Sequence, residues 1–303
     1  AAVLLLLIGA FGVLQVKQQK DSLDQDCREA MEEVSGDMET LLVEQSQTLD
    51  ALGQVLLRDT GLRTALKTRS RQRLLADHEP IFAKLRADQG LLTHFYFVGT
   101  DRVCLLRVHK PEKHGDLIDR FTMREAERTG RTAVGLELGP LGTFTLRSVQ
   151  PVYDGDALIG YLELGKEIKD ILAKLHKKDD IEIALAIRKG ALDRTAWEAG
   201  MKMLDRKADW NRFPSDVLIY SSLPRFPVEL DRFVGGAGHT HNKVNEETAV
   251  GGLLWQIVAA PIQDASGVEV GDLLVLHDIS EATAAYHRLM TVAGGGVLAL
   301  LAG

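Results

Sequence analysis

Apolar residues crowd both ends of the chain and, between them, recur with a helical period first and a period of two later. Residues 1–16, AAVLLLLIGAFGVLQV, carry no charge, and Lys17 ends the run. A bilayer takes about 20 apolar residues in a helix, so the run predicts a transmembrane helix cut in its middle. A secretory signal core is the alternative. No small-residue cleavage site follows, however, only Lys17-Gln18-Gln19-Lys20-Asp21. At the other end, residues 289–303, LMTVAGGGVLALLAG, are also uncharged. Their small residues suit a membrane helix, and they predict a second truncated span. Two such spans would bracket a single extracytoplasmic insert.

Behind Lys17, Cys27, Met31, Val34, Met38, Leu41, Gln45, Leu49, Leu52 and Val55 follow at steps of three and four, with Gln45 the one polar break. Pro is absent before Pro80. The spacing predicts one stalk helix over 17–57, roughly 60 Å long at 1.5 Å per residue. Its stripe would pack either on the chain's own domain or on the same helix of a second copy, forming a homodimer. Shorter helices are predicted over 60–66, 73–85, 169–178 and 192–205. Period-two runs predict hairpins over 94–110 and 143–168, strands over 181–190 and 216–222, and a closing hairpin over 253–282. The segments 111–131 and 235–247 read as loops, the first with a short helix.

The closing hairpin repeats the earlier one. Pro151-Val-Tyr-Asp154 matches Pro261-Ile-Gln-Asp264 at an offset of 110, and the segment from Gly160 to Ile168 matches that from Gly271 to Ile279 at an offset of 111. One inserted turn residue accounts for the slip. The shared order predicts two tandem copies of an antiparallel α+β module, over 58–178 and 179–285.

Composition narrows the function. Hydrophobic residues make up 45% and charged residues 26%, an ordinary globular balance, and the net charge of −7 argues against a nucleic-acid partner. Two cysteines, Cys27 and Cys104, exclude a disulfide scaffold and a CxxC metal site. Both are expected to be reduced. No Ser elbow or Cys/His pair in register marks a catalytic centre.

The stretch LLRVHKPEKHGDLIDRF (105–121) resembles the L-R-h-H-x-P-x-x-x-G-D pattern of double Cache sensor domains, in the subgroup called double Cache 3 or the double sensory domain of two-component sensors. Arg107, His109, Pro111, Gly115 and Asp116 match it by position. The Tyr, Arg, Trp-Tyr and Asp signature of the amino-acid-binding subgroup is not visible. The resemblance implies an α+β fold: a long N-terminal helix and two tandem PAS-like (Cache) antiparallel-sheet modules, flanked by the two truncated spans. It further implies the ligand-sensing region of a bacterial membrane receptor, lying in the periplasm or extracellular space. Such domains belong to histidine kinases, chemoreceptors and cyclic-dinucleotide enzymes, so catalysis would lie outside the region shown.

Strand alternation offers a site in the membrane-distal module, 58–178. Arg107 and His109 share one face of their strand, Thr143, Thr145 and Arg147 one face of theirs, and Tyr161 and Glu163 one of theirs. Tyr96, Arg107, His109, Arg147 and Glu163 would line a polar pocket for a small polar or anionic ligand, its two guanidiniums suiting a carboxylate. Alternatively, Arg107 is a structural partner of Glu163 or Asp116. His109, His114 and Asp116 lack helical metal-ligand spacing, and no metal or cofactor is expected. His239 and His241 read as solvated loop residues, the glycine run 235–238 as no phosphate loop, and Trp197, Trp210 and Trp255 as packing. The rival functions are a membrane-anchored periplasmic hydrolase and a ligand-free structural ectodomain.

Overall fold

The computed structural model describes residues 2–87, 91–139, 142–179, 181–203, 206–235, 245–288 and 291. A single helix, α1 (Ala2–Leu56), runs 55 residues without a break. It leads into α2 (Thr60–Lys67), started by the Asp59 carboxylate accepting from the Gly61 N–H at 2.7 Å, and then into α3 (Arg71–Ala87). The first sheet follows: β1 (His94–Val98), β2 (Cys104–Arg107), β3 (Ala133–Leu138), β4 (Phe144–Asp154) and β5 (Ala157–Glu167), with α4 (Phe121–Thr129) between β2 and β3. Helix α5 (Ile168–Asp179) leads to the second sheet of β6 (Glu182–Arg188), β7 (Asp216–Ser221), β8 (Asn245–Val250), β9 (Leu253–Gln263) and β10 (Glu269–Asp278), with α6 (Arg194–Met203) after β6.

The two sheets share one topology. Their strand orders are β2-β1-β5-β4-β3 and β7-β6-β10-β9-β8, with antiparallel pairing throughout. Even the irregularities correspond. Register slips beside Val152 in the first sheet and beside Gly271 in the second. Gly160 and Gly271 sit at these bulges, where the neighbouring strand's backbone comes close. A Cβ on Gly160 would lie 2.6 Å from the Val98 carbonyl, and one on Gly271 would strike the Ala186 carbonyl. Only glycine fits there, which is why this residue opens the repeated segment.

β3 and β8 were not anticipated. Both lie at the same outer edge of their sheets, and β8 takes up the end of the segment expected as a loop. An edge strand packs against one neighbour only, and β8 reads Asn-Glu-Glu-Thr-Ala-Val, with little apolar alternation to betray it.

The α1 stripe packs on the chain's own domain, the first of its two expected partners. Met31, Val34, Met38, Leu49 and Leu56 are buried in one apolar core with residues of both sheets, and Leu41 and Leu52 lie at its margin. Val55, the last residue of the expected stripe, faces solvent. Gln45 has a reason: its Oε1 accepts from the buried Lys166 Nζ of β5 at 3.0 Å. Nearby, the Gln150 amide of β4 donates to Asp50 O at 2.8 Å and Asp50 Oδ1 at 2.9 Å.

Among the described residues no helix is long and apolar enough to cross a membrane. Residues 2–16 form the first turns of α1 and run directly into its polar stretch. The expected second span, 289–303, lies outside the described residues apart from Thr291. The two modules touch through Ala265 N–H donating to Leu136 O at 2.7 Å and Arg206 donating to Glu167 at 2.6 Å.

Candidate functional site

The first sheet has two unlike faces. Phe95, Phe97, Leu106, Leu146, Leu162 and Leu164 belong to the core shared with α1. The opposite face carries Tyr96, Val98, Val149 and Tyr161, covered by Ile118 and by Met123 and Ala126 of α4. Polar residues interrupt that second face, and register brings them together. Tyr96 pairs with Arg107 on one side and Glu163 on the other, Glu163 pairs with Val149, and Arg147 lies two pairs further along on the same face, opposite Gly165.

Glu163 is fully buried and holds two guanidiniums: Arg147 Nη1 at 2.6 Å, and Arg120 Nη2 at 2.6 and 2.5 Å from its two oxygens. Glu137 of β3, also buried, accepts the Thr122 N–H at 2.7 Å through Oε1, and its Oε2 stands 3.6 Å from both Arg120 Nε and Arg147 Nε. Arg107, Arg120 and Arg147 all stand over the Tyr96 ring, at 5.2, 5.2 and 5.8 Å from its centroid.

All five residues singled out in the sequence thus converge. Arg107 forks onto Asp116, two bonds of 2.6 Å, and donates to Lys113 O at 2.9 Å. With Gly115 at φ 87, this pins the segment after β2, which returns along that strand through Cys104 N to Asp116 O and Ile118 N to Arg102 O. The pinned segment ends at Arg120, placing its side chain over Glu163. Within the family-like pattern of the sequence, Arg107 and Asp116 thus clamp this loop. Among the described residues no cluster of three His, Cys, Asp or Glu could hold a metal ion. His239 and His241 lie outside the described residues, as do residues 236–238 of the glycine run.

His109 Nδ1 accepts the Phe95 N–H at 3.1 Å, and its ring lies 4.9 Å from those of His94 and Tyr96. Burial, with Arg147 and Arg107 adding to it and the Phe95 carbonyl, 3.3 Å from Nδ1, opposing, lowers the His109 imidazole to about 4. Burial and then Arg147 hold His94 well below the ordinary range. Both are neutral at physiological pH. Cys104, buried and free, is raised to about 11 by burial, which keeps its thiol protonated at neutral pH.

Arg120 and Glu137 were missed in the sequence. Glu137 alternates with Gly135 and Ala133 along β3, and reading that strand would have found it. Arg120 carries no local signal.

The second sheet supplies a comparison at matched positions. Where the first carries Tyr96, Arg147 and Glu163, the equivalent register positions hold Ala184, Ile257 and Leu274. These join an apolar cluster with Phe213, Phe226 and Phe233.

Residues 28–283 match the family described as double sensory domain of two-component sensor kinase. Among solved structures, the periplasmic domain of Vibrio cholerae LuxQ is similar with a TM-score of 0.50 at 12% identity, over 81% of this chain and 98% of that one. The sensor domain of the V. cholerae histidine kinase DctB gives 0.47 at 10% identity, over 86% and 98%. The ligand-binding domain of the Pseudomonas aeruginosa amino acid chemoreceptor PctB, in complex with L-Arg, gives 0.40 at 14% identity, over 86% and 97%. At these identities the likeness concerns the fold alone. No curated protein matches the sequence.

Proposed function

Since this chain belongs to the double sensory domain family of two-component sensor kinases, we propose that it is the extracytoplasmic ligand sensor of a bacterial membrane receptor, with its two apolar ends at the membrane side. In this reading residues 58–178 form the membrane-distal, ligand-binding module and 179–285 the membrane-proximal one. The output belongs to a kinase, chemoreceptor or cyclic-dinucleotide domain of the receptor, and the sensor itself is not catalytic. The ligand is a small polar molecule, held on the face of the first sheet by Tyr96, Arg107, His109, Arg147 and Glu163, with Arg120 and Glu137 added to the set.

One observation carries this reading. At matched positions of one topology, the first module buries Tyr96, Arg147 and Glu163 where the second buries Ala184, Ile257 and Leu274. The second sheet takes up the same topology without charges at those positions. Burying ion pairs brings little net stability compared with apolar packing, so the first module keeps them for another purpose. Binding is the use that buried, convergent polar groups serve in a sensory domain.

The test is a thermal-denaturation screen of the chain against small polar metabolites, followed by titration calorimetry. A binding molecule should lose at least tenfold in affinity in Glu163→Gln and in Arg147→Met, and little in Ile257→Val of the second sheet. Binding that ignores both first-module substitutions would move the site elsewhere.

A further inference from the structure

Within the site proposed above, on which this inference rests, one point is unusually demanding. Arg120 Nε, Arg147 Nε and Glu137 Oε2 are buried atoms without a hydrogen-bond partner among the described residues, and so are the Thr122 and Thr145 hydroxyls beside Glu137. Arg147, Glu137, Thr122 and Thr145 are each more than nine-tenths buried. The two Nε atoms stand 3.6 Å from the same carboxylate oxygen. That is too long for a direct hydrogen bond, and an atom serving these unpartnered groups would have to bond all three.

The chemistry of that atom follows from its neighbours. It must accept from two N–H groups and donate to a carboxylate oxygen. A ligand carboxylate would accept both N–H bonds but press its charge against Glu137. A ligand ammonium could serve Glu137 but would face two guanidiniums. A hydroxyl does both with no charge of its own. The charges around it already cancel: Arg120 and Arg147 against Glu137 and Glu163, and Arg107 against Asp116, with both histidines neutral. A ligand with net charge would leave that charge unbalanced in a buried place. The geometry points to a hydroxyl subsite at Arg120, Arg147 and Glu137, and to an uncharged, polyhydroxylated molecule as the ligand class.

Two measurements on the full chain test this. The first compares thermal denaturation with myo-inositol, ribose and glycerol against acetate, succinate and putrescine, at equal concentration, pH and ionic strength. The second determines crystal structures after soaks in ethylene glycol and in acetate. The expected results are a rise in Tm with an uncharged polyol, abolished by Glu137→Ala, and a glycol oxygen bonded to both Nε atoms and to Glu137. Stabilisation by succinate or putrescine, lost in Arg147→Met, would keep the site and overturn the ligand class. Stabilisation by any probe that persists in both Arg147→Met and Glu163→Gln would overturn the site itself. Should no probe shift Tm, or should a variant fail to fold, the soaks decide. Glycol at this point sustains the subsite. A water that glycol does not displace, an acetate seated there, or Glu137 closed directly onto the two Nε atoms overturns it.

Discussion

His109 shows how the site feeds back on stability. Its folded-state imidazole sits near 4 and its unfolded one near 6.5, so the unfolded chain takes up the proton first as pH falls. Stability is therefore full above about 6.5 and lost progressively down to about 4, by up to about 3 kcal/mol for this group. His94 acts in the same direction. Urea denaturation between pH 7.5 and pH 4 should give a shallower fall for His109→Gln than for the parent. Identical slopes would assign the titration to other groups. Glu163 is a different kind of buried group, one paired with two arginines. Removing it alone leaves Arg147 without its 2.6 Å partner. Glu163→Leu should cost about 3–5 kcal/mol, and adding Arg147→Met should restore much of that loss. A double variant no better than the single one would show that Glu137 and Arg120, not this pair, dominate the balance.

At the scale of elements, α1 and the first sheet meet through apolar side chains except where Lys166 reaches Gln45 and Gln150 reaches Asp50. Burial, then the nearby Lys174, lowers the Lys166 ammonium from its ordinary value. The unfolded chain binds that proton more readily, so the lysine penalises folding at neutral pH, and the penalty disappears above its unfolded value of 10.5. Lys166→Met with Gln45→Leu should raise stability at pH 7 by about 1–4 kcal/mol. A loss measured in urea would mean that the polar pair sets the seating of the helix. The repeated bulge is a second prediction at this scale. Gly160, at φ 150, and Gly271 both face a neighbouring carbonyl. Alanine at either should destabilise by about 2 kcal/mol or more, read from urea midpoints. A neutral outcome at one of them would break the equivalence of the two copies.

For the whole molecule, the decisive feature is the single core joining α1 to both sheets. Modules that share a core should unfold together. All three tryptophans, Trp197, Trp210 and Trp255, belong to the second module, so their fluorescence reports that half while far-UV circular dichroism reports the helices and both sheets. The two signals should give one coincident transition in urea. Separate midpoints would show that the modules are independently stable and only in contact.

Much of this architecture was legible in the chain itself. Period-two alternation located the three hairpins, the matched segments after Gly160 and Gly271 exposed the repeat, and alternation assigned Arg107, Arg147 and Glu163 each to one face of its strand. Pleat, turn and bulge are short-range steric rules, and residues a few positions apart obey them wherever they sit. The stripe on α1 was equally visible, but its partner was not, because an apolar stripe states only that something must cover it. Gln45 looked like a flaw until Lys166, 121 positions away, came to lie beside it. Arg120 meets Glu163 across 43 positions, delivered by a loop that Arg107 and Asp116 clamp. The sequence by itself determined the helices, most of the strands and their repetition, because those follow from local sterics. Only the tertiary structure decided which faces cover one another and which charges meet, because those depend on where distant segments return.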